Sequence, residues 1–287
     1  MPDLVLPSGH KIYYETNGQG TPLVALRGLG RSMRHWLGYE KKLAKHFQVI
    51  TVDARGIGRS AQKPGWMDTV FDLADDVAAV LDDLKITQAH ILGVSLGGMV
   101  ALAIGLKHEE RCRSIITVNS SIGGLRSIRI SPIAVASLLV GSGSKKLRHQ
   151  LLARALVGDT MPQSRRERII RSWEEIDGLE GDPAPTVIRQ LIAAVRFNHH
   201  KDLRNLRVPT MVMYGTKDRF VPNKNSVKIA KLIPNCKLVA ISGGGHEITI
   251  DRPNEVLAEI KTWVHRIDGG GFDSPEGDTP ESASGAG

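Results

Sequence analysis

Short apolar runs rich in Val, Ile and Leu, each followed by a longer helix-like stretch, constrain this chain more than any other feature. They are PLVALRG at 22–28, FQVITVD at 47–53, AHILGVS at 89–95 and CRSIITVNS at 112–120. Near-continuous apolar strands of this kind belong to a parallel sheet covered on both faces, since an antiparallel sheet with one wet face would alternate apolar and polar residues. Between them lie helical patterns at 31–46, 68–85 and 96–108. Strand and helix alternate, which places the chain in the α/β class.

The alternation breaks near residue 121. From 121 to 207 the apolar spacing is helical (IAVASLLV, KLRHQLLARALV, RRERIIRSWEEI, PTVIRQLIAAVRF), the pieces are separated by GSGS, GDTMP and GDPAP, and no strand is evident. The α/β rhythm then resumes with PTMVMYG at 209–215, a helix near NKNSVKIAKLI, the strand CKLVAISG at 236–243 and a last helix, NEVLAEIKTWVHRI. The expected organisation is a core of 1–120 and 208–267 interrupted by a helical insertion, 121–207. Residues 268–287 follow as a tail; its Gly, Ser, Pro and acidic residues have almost nothing to bury, so disorder is expected.

Composition narrows the function classes. At 287 residues, 41% hydrophobic and 24% charged, the chain reads as an ordinary packed globule, and no apolar run approaches the roughly 20 residues of a membrane span. The first residues lack a basic start and apolar core, so a cytoplasmic location is expected. Two cysteines, Cys112 and Cys236, make no disulfide framework and lack metal-ligand spacing. The net charge of +8 is concentrated: residues 121–207 hold 15 Lys/Arg against 8 Asp/Glu, a balance of +7. Without a recognition-helix signature or aromatic interleaving, this reads as a solvated basic face, and no nucleic-acid partner is expected. Contact with a membrane surface and the oligomeric state are left open.

The chemistry centres on ILGVSLGGMVAL at 91–102, which puts Ser95 among three glycines where a predicted strand meets a predicted helix. Glycine carries an entropy cost and buries nothing, so the cluster needs a local cause: a plain turn, a phosphate cradle or a nucleophile held in a strained backbone. A P-loop needs a Lys and a Ser/Thr after its last glycine, and a dinucleotide fingerprint needs G-x-G-x-x-G; neither is present. Gly93-Val94-Ser95-Leu96-Gly97 instead matches G-x-S-x-G, in which a sharp strand-to-helix turn exposes a serine hydroxyl. That hydroxyl needs a base and the base needs an orienting acid. Asp218 follows the strand PTMVMYG and His246 follows CKLVAISG, both at the strand ends where open α/β sheets place their sites. Each alone also reads as an ordinary loop residue. Together, the order Ser, Asp, His and the shared strand context favour a nucleophilic triad.

With these elements in place, the sequence resembles the α/β-hydrolase fold superfamily along residues 1 to about 267. The resemblance is carried by Arg27-Gly28-Leu29-Gly30, by Asp53-Ala54-Arg55-Gly56-Ile57-Gly58-Arg59-Ser60, by the Ser95 elbow and by the Asp218 and His246 loops. The D-x-R-G-x-G-x-S and G-x-S-x-G-G segments are similar to the branch of cofactor-free haloperoxidase-like esterases, enol-lactonases and carbon-carbon bond hydrolases. That resemblance implies a mostly parallel eight-stranded sheet with helices on both faces, a helical cap at 121–207, and no cofactor or metal. It also implies an oxyanion hole from the backbone N–H groups of Leu29 and Leu96. One departure is Arg27, where most relatives carry His before the glycine.

The resemblance further implies a serine hydrolase of the carboxylesterase type, with a small-molecule acyl substrate. Ser95 would attack a carbonyl, His246 would act as base and then acid, and Asp218 would orient His246. Carbon-carbon bond hydrolysis of a ring-cleavage product, enol-lactone hydrolysis, and a ligand receptor on a retained hydrolase fold are the alternatives. Asp53 is expected to be structural, Asp251 to cap the last helix, and Asn119 cannot serve as an acid. Ile133, Leu138, Leu152 and Ile192 are apolar residues of the insertion that face either the substrate or the core.

Overall fold

In the computed structural model, residues 3–60, 62–124, 145–181 and 183–271 are described. Eight strands form one sheet in the order β1-β2-β4-β3-β5-β6-β7-β8. They are β1 (Asp3–Val5), β2 (Lys11–Asn17), β3 (Pro22–Leu26), β4 (Gln48–Val52), β5 (Ala89–Val94), β6 (Cys112–Val118), β7 (Thr210–Gly215) and β8 (Cys236–Ile241). β1 and β2 pair antiparallel and β2 pairs antiparallel with β4, while every pairing from β4 to β8 is parallel. The expected mostly parallel eight-stranded architecture is therefore present, and the antiparallel edge is the part the apolar runs did not announce.

The apolar runs serve two cores at once because successive side chains of a strand point to opposite faces. On one face Val24, Leu26, Ile50, Val52, Ile91, Ile115 and Val212 pack with α2 (Val70–Asp83) and α3 (Leu96–Lys107). On the other, Leu23, Ala25, Val49, Leu92, Val94, Ile116, Val118, Met211 and Met213 pack with Trp36, Tyr39 and Leu43, and with Val256, Ile260 and Trp263 of α9 (Pro253–Asp268). The α3 helix is buried at every position from Leu96 to Gly105, which accounts for an apolar character without a polar face.

The pattern at 31–46 forms a 3-10 turn, Met33–Trp36, and a short α1, Tyr39–Leu43, rather than the single expected helix. Leu37 at φ 50° and Gly38 at φ 86° break it between the two pieces. Between β6 and β7 the described residues form α4 (Lys145–Leu156), α5 (Gln163–Glu180) and α6 (Ala184–Arg196), with no strand among them. Ala153, Leu156, Met161, Ile169 and Trp173 make a separate small core against Ile250. Ile133 and Leu138 lie outside the described residues, as does most of the tail, 272–287. The remaining helices are α7 (Lys224–Leu232) and α8 (Ile248–Asp251).

The D-x-R-G-x-G-x-S segment is a structural staple. Asp53 accepts the Met33 N–H at 2.7 Å and the Arg59 N–H at 3.0 Å, and burial pushes its carboxyl up to about 6 against those bonds. Arg55 forks onto both oxygens of Asp76 in α2, at 2.6 and 2.7 Å, and reaches Asp68 at 2.8 Å. The Ser60 hydroxyl donates to the Asp53 carbonyl and accepts the Tyr13 N–H, each at 2.8 Å. The loop after β4 is thereby tied to β2, α2 and the 3-10 turn. Asp53 has the structural place expected of it.

Candidate active site

Ser95 stands at the junction of β5 and α3 with φ 55° and ψ −115°, a conformation that an L-residue holds only when its surroundings over-determine it. Its N–H donates to the Val118 carbonyl at 2.8 Å, and its carbonyl accepts the Ser120 hydroxyl at 2.8 Å and the Gly98 N–H at 2.9 Å. The glycines make the turn possible by absence. A Cβ on Gly93 would fall 2.0 Å from the Gly97 carbonyl oxygen, and one on Gly97 would fall 2.6 Å from the Leu26 carbonyl oxygen. Gly93 thus permits the turn, and Gly97 permits the close approach of α3 to the end of β3.

His246 and Asp218 come together from the loops after β8 and β7. The His246 Nδ1 lies 2.8 Å from Asp218 Oδ2, and both side chains are almost fully buried. The other Asp218 oxygen accepts the N–H groups of Phe220 and Val221 at 2.7 and 2.9 Å, which fixes the carboxylate in orientation. Burial disfavours a charged imidazole, but the charge and hydrogen bond of Asp218, with Glu247 beside it, outweigh burial and lift His246 above its ordinary value. Ser95 and His246 line one cavity, together with Gly28, Leu29, Phe220, Leu152 and Val187. Ser95 and His246 therefore face one space, and Asp218 reaches it through His246.

The two expected oxyanion donors occupy the same region. Leu96 is the first residue of α3, where helix geometry leaves the N–H without an intrahelical acceptor. Leu29 follows Gly28, whose backbone lies so close that a Cβ there would sit 3.1 Å from the Ser95 Cβ. Leu152 of α4 lines the cavity, whereas Ile192 is not among its lining residues.

Arg27, the departure from the usual histidine, is buried and donates from Nη2 to both oxygens of Glu247, at 2.8 and 2.9 Å. Its guanidinium also lies 4.7 Å from the Trp36 ring centroid. The pair joins the loop that carries Leu29 to the loop that carries His246. Burial works to raise the Glu247 carboxyl, but Arg27, Arg31 and His246 outweigh it and hold it below the usual carboxylate range.

Two further residues hold the site in ways the sequence did not reveal. Asn119, at φ 47°, donates to the Gly245 and His246 carbonyls at 3.1 and 2.6 Å and accepts the Gly215 N–H at 2.9 Å. It fixes the ends of β6 and β7 to the histidine loop. Asp251 does not cap the last helix: its Oδ2 accepts the N–H groups of Gly158 and Gly245 at 2.8 and 2.7 Å, tying the segment after α4 to the histidine loop. The residue before α9 is Arg252, with Pro253 in the first turn as expected. The side chain of Asp251 is engaged by these two backbone donors rather than by the first N–H groups of α9.

The family model described as alpha/beta hydrolase fold matches residues 21–253. The chain belongs to the α/β-hydrolase fold family. It is 30% identical over 254 residues to a protein of Azorhizobium caulinodans named "Putative carbamate hydrolase RutD", covering 86% of this chain and 93% of that one. It is also 30% identical to the pimeloyl-[acyl-carrier protein] methyl ester esterase of Aeromonas hydrophila, covering 87% and 98%. Among solved structures, Est816, described as an N-acyl homoserine lactone degrading enzyme, matches with a TM-score of 0.74 at 28% identity, covering 90% of this chain and 99% of that one. Hydrolysis is the reaction class these similarities support. Among the described residues no helix is long and apolar enough to cross a membrane, and no cluster of three or more His, Cys, Asp or Glu is placed to hold a metal.

Proposed function

We propose that this α/β-hydrolase is a serine hydrolase of the carboxylesterase type, cleaving a small-molecule ester through an acyl-enzyme, with thioesters and lactones within reach of the same chemistry. The observation that carries this reading is the His246–Asp218 pair at 2.8 Å on the cavity that Ser95 also lines. Asp218 occupies Nδ1, so Nε2 is the nitrogen left to accept the Ser95 proton as Oγ attacks the carbonyl carbon. The negative oxygen that develops is met by the Leu29 and Leu96 N–H groups, each worth about 3 to 4 kcal/mol by the usual cost of removing such a donor. His246 then protonates the leaving alcohol, and water repeats the sequence to release the acid. The chain's own residues account for each step.

We read α4 to α6 as a cap over the acyl pocket, with Leu152, Leu156 and Val187 as its apolar contribution. The names of the relatives support the breadth of this reading, since an ester, a lactone and a carbamate all present an acyl carbon to a serine nucleophile. The test is labelling by a fluorophosphonate probe together with turnover of an acyl-chain-length series of nitrophenyl esters. Ser95→Ala should abolish both. Labelling that survives Ser95→Ala, or a dienoate turned over in preference to every ester, would overturn it.

A further inference from the structure

Among the described residues, one of the guanidinium groups around the cavity has no carboxylate bonded to it. Besides the catalytic pair, its described lining includes Arg31, Arg148, Asp177 and Glu247, and Arg27 stands behind Glu247. Each carboxylate already has a guanidinium. Glu247 is held by Arg27, and Asp177 is bonded to Arg148, with the His149 Nε2 also 3.0 Å from the same oxygen. Arg31 is the remaining cation. Its guanidinium lies 4.2 Å from the centroid of the fully buried Trp173 ring, and among the described residues it makes no salt bridge and no hydrogen bond.

This is an unusual position for an arginine. Its guanidinium is deep enough that burial draws the pKa down to about 10, so it remains charged at neutral pH, yet the residue keeps part of its surface accessible on the cavity side. A largely desolvated cation with no carboxylate bonded to it is costly even with Glu247 and Asp177 in its field, and the ring face of Trp173 satisfies none of its N–H donors. Five N–H groups in a planar fork match the paired oxygens of a carboxylate or a phosphate, and of the two a carboxylate is the group that the acyl chain of an ester substrate can itself carry. Arg31 is also only two residues from Leu29, so an anion bound there lies within a short chain of the scissile carbonyl.

We infer that Arg31 receives a carboxylate carried on the acyl part of the substrate, so that the preferred substrates are half-esters of short dicarboxylic acids. This rests on the ester-hydrolase reading for the reaction, but the binding of the anion can be measured without it.

The test uses monomethyl glutarate and its neutral counterpart dimethyl glutarate. In the full-length chain with Ser95→Ala, calorimetry should find the half-ester bound at least about tenfold more tightly than the diester, the worth of one charge-assisted hydrogen bond. Arg31→Met should reduce that ratio to near one. Arg31→Lys, which keeps the charge but not the fork, should retain part of it, and urea unfolding of each variant establishes that it is folded. In the protein with Ser95 intact, the ratio of kcat/KM for the two esters should follow the same order. Equal binding of the two esters, no binding of either, or a ratio unmoved by Arg31→Met would overturn the inference. Failure to hydrolyse either ester, with the binding preference present, would instead overturn the ester reading and leave the carboxylate site standing.

Discussion

Removing one member of the Arg27–Glu247 pair should destabilise the protein far more than removing both. The two side chains are only 2% and 5% exposed, and Nη2 alone bonds both carboxylate oxygens while Nε and Nη1 have no partner. Glu247→Gln keeps the shape but takes away the charge and turns one acceptor into an N–H₂ facing a donor. The result is a buried, uncompensated guanidinium, for which a loss of about 3 to 5 kcal/mol is expected. Arg27→Met should fall at the lower end, because Glu247 retains Arg31 as a second cation in its field. Replacing both with apolar residues of similar volume, Arg27→Met with Glu247→Leu, removes the charges together, and such replacements are often neutral.

The assay is urea unfolding by circular dichroism at pH 7 of the parent protein, Arg27→Met, Glu247→Leu and the double variant, with the coupling energy taken from that cycle and Glu247→Gln measured beside it. A coupling of about 3 kcal/mol or more is expected. Additive losses, with the double variant as damaged as the two single variants together, would refute the account. The pH dependence has a definite sign. Glu247 is held below its unfolded value of about 4.3, so its contribution is fully present above that pH and is lost as pH falls through the folded value. The decline in stability on acidification should therefore be shallower in Glu247→Gln than in the parent protein.

Three further outcomes follow from the site. The imidazole of His246 must be neutral to accept a proton, and it is raised above its ordinary value of 6.5, so kcat/KM should rise with pH through a midpoint above 6.5. Asp218→Asn should lower kcat about ten-thousandfold, the scale this change has in serine proteases, and move the midpoint of the residual activity downward; an unmoved midpoint would mean that Asp218 does not set it. Asn119→Ala leaves two carbonyls and one N–H without their partner and should cost about 3 kcal/mol in urea unfolding. Because the same bonds position His246, kcat should drop with KM little changed, and an equal rise in KM would argue against the positioning role.

What was legible in the sequence is what local chemistry encodes. Ser95 could be read because the strand, the turn and the helix that shape it are contiguous, and the two glycines that make room for it lie two residues away on either side. Asp218 and His246 could be read because each follows a recognisable strand, and strands of a parallel sheet deliver their loops to one edge. At 31–46 the same local reasoning failed, since the left-handed conformation of Leu37 leaves no trace in apolar spacing and Gly38 alone was too weak a signal.

The polar residues that hold the site together were not legible, and the cause is sequence distance. Arg27 and Glu247 are 220 residues apart, Asn119 and His246 are 127 apart, and Asp251 reaches Gly158 across 93. Nothing in a period of two or 3.6 residues marks such partners, and each residue also has an innocent local reading, as Asp251 had at a helix end. Once β3, β6 and β8 are laid in one sheet, however, these side chains meet at a single edge, and each ties the histidine loop to a different element: Arg27 to the end of β3, Asn119 to β6 and β7, Asp251 to the segment after α4. Arg31 stands apart from this pattern. It shares the same edge, but it keeps part of its surface open to the cavity where the others are buried, and it ties no loop to another by a hydrogen bond; that difference is the physical reason to assign it to the substrate rather than to the fold.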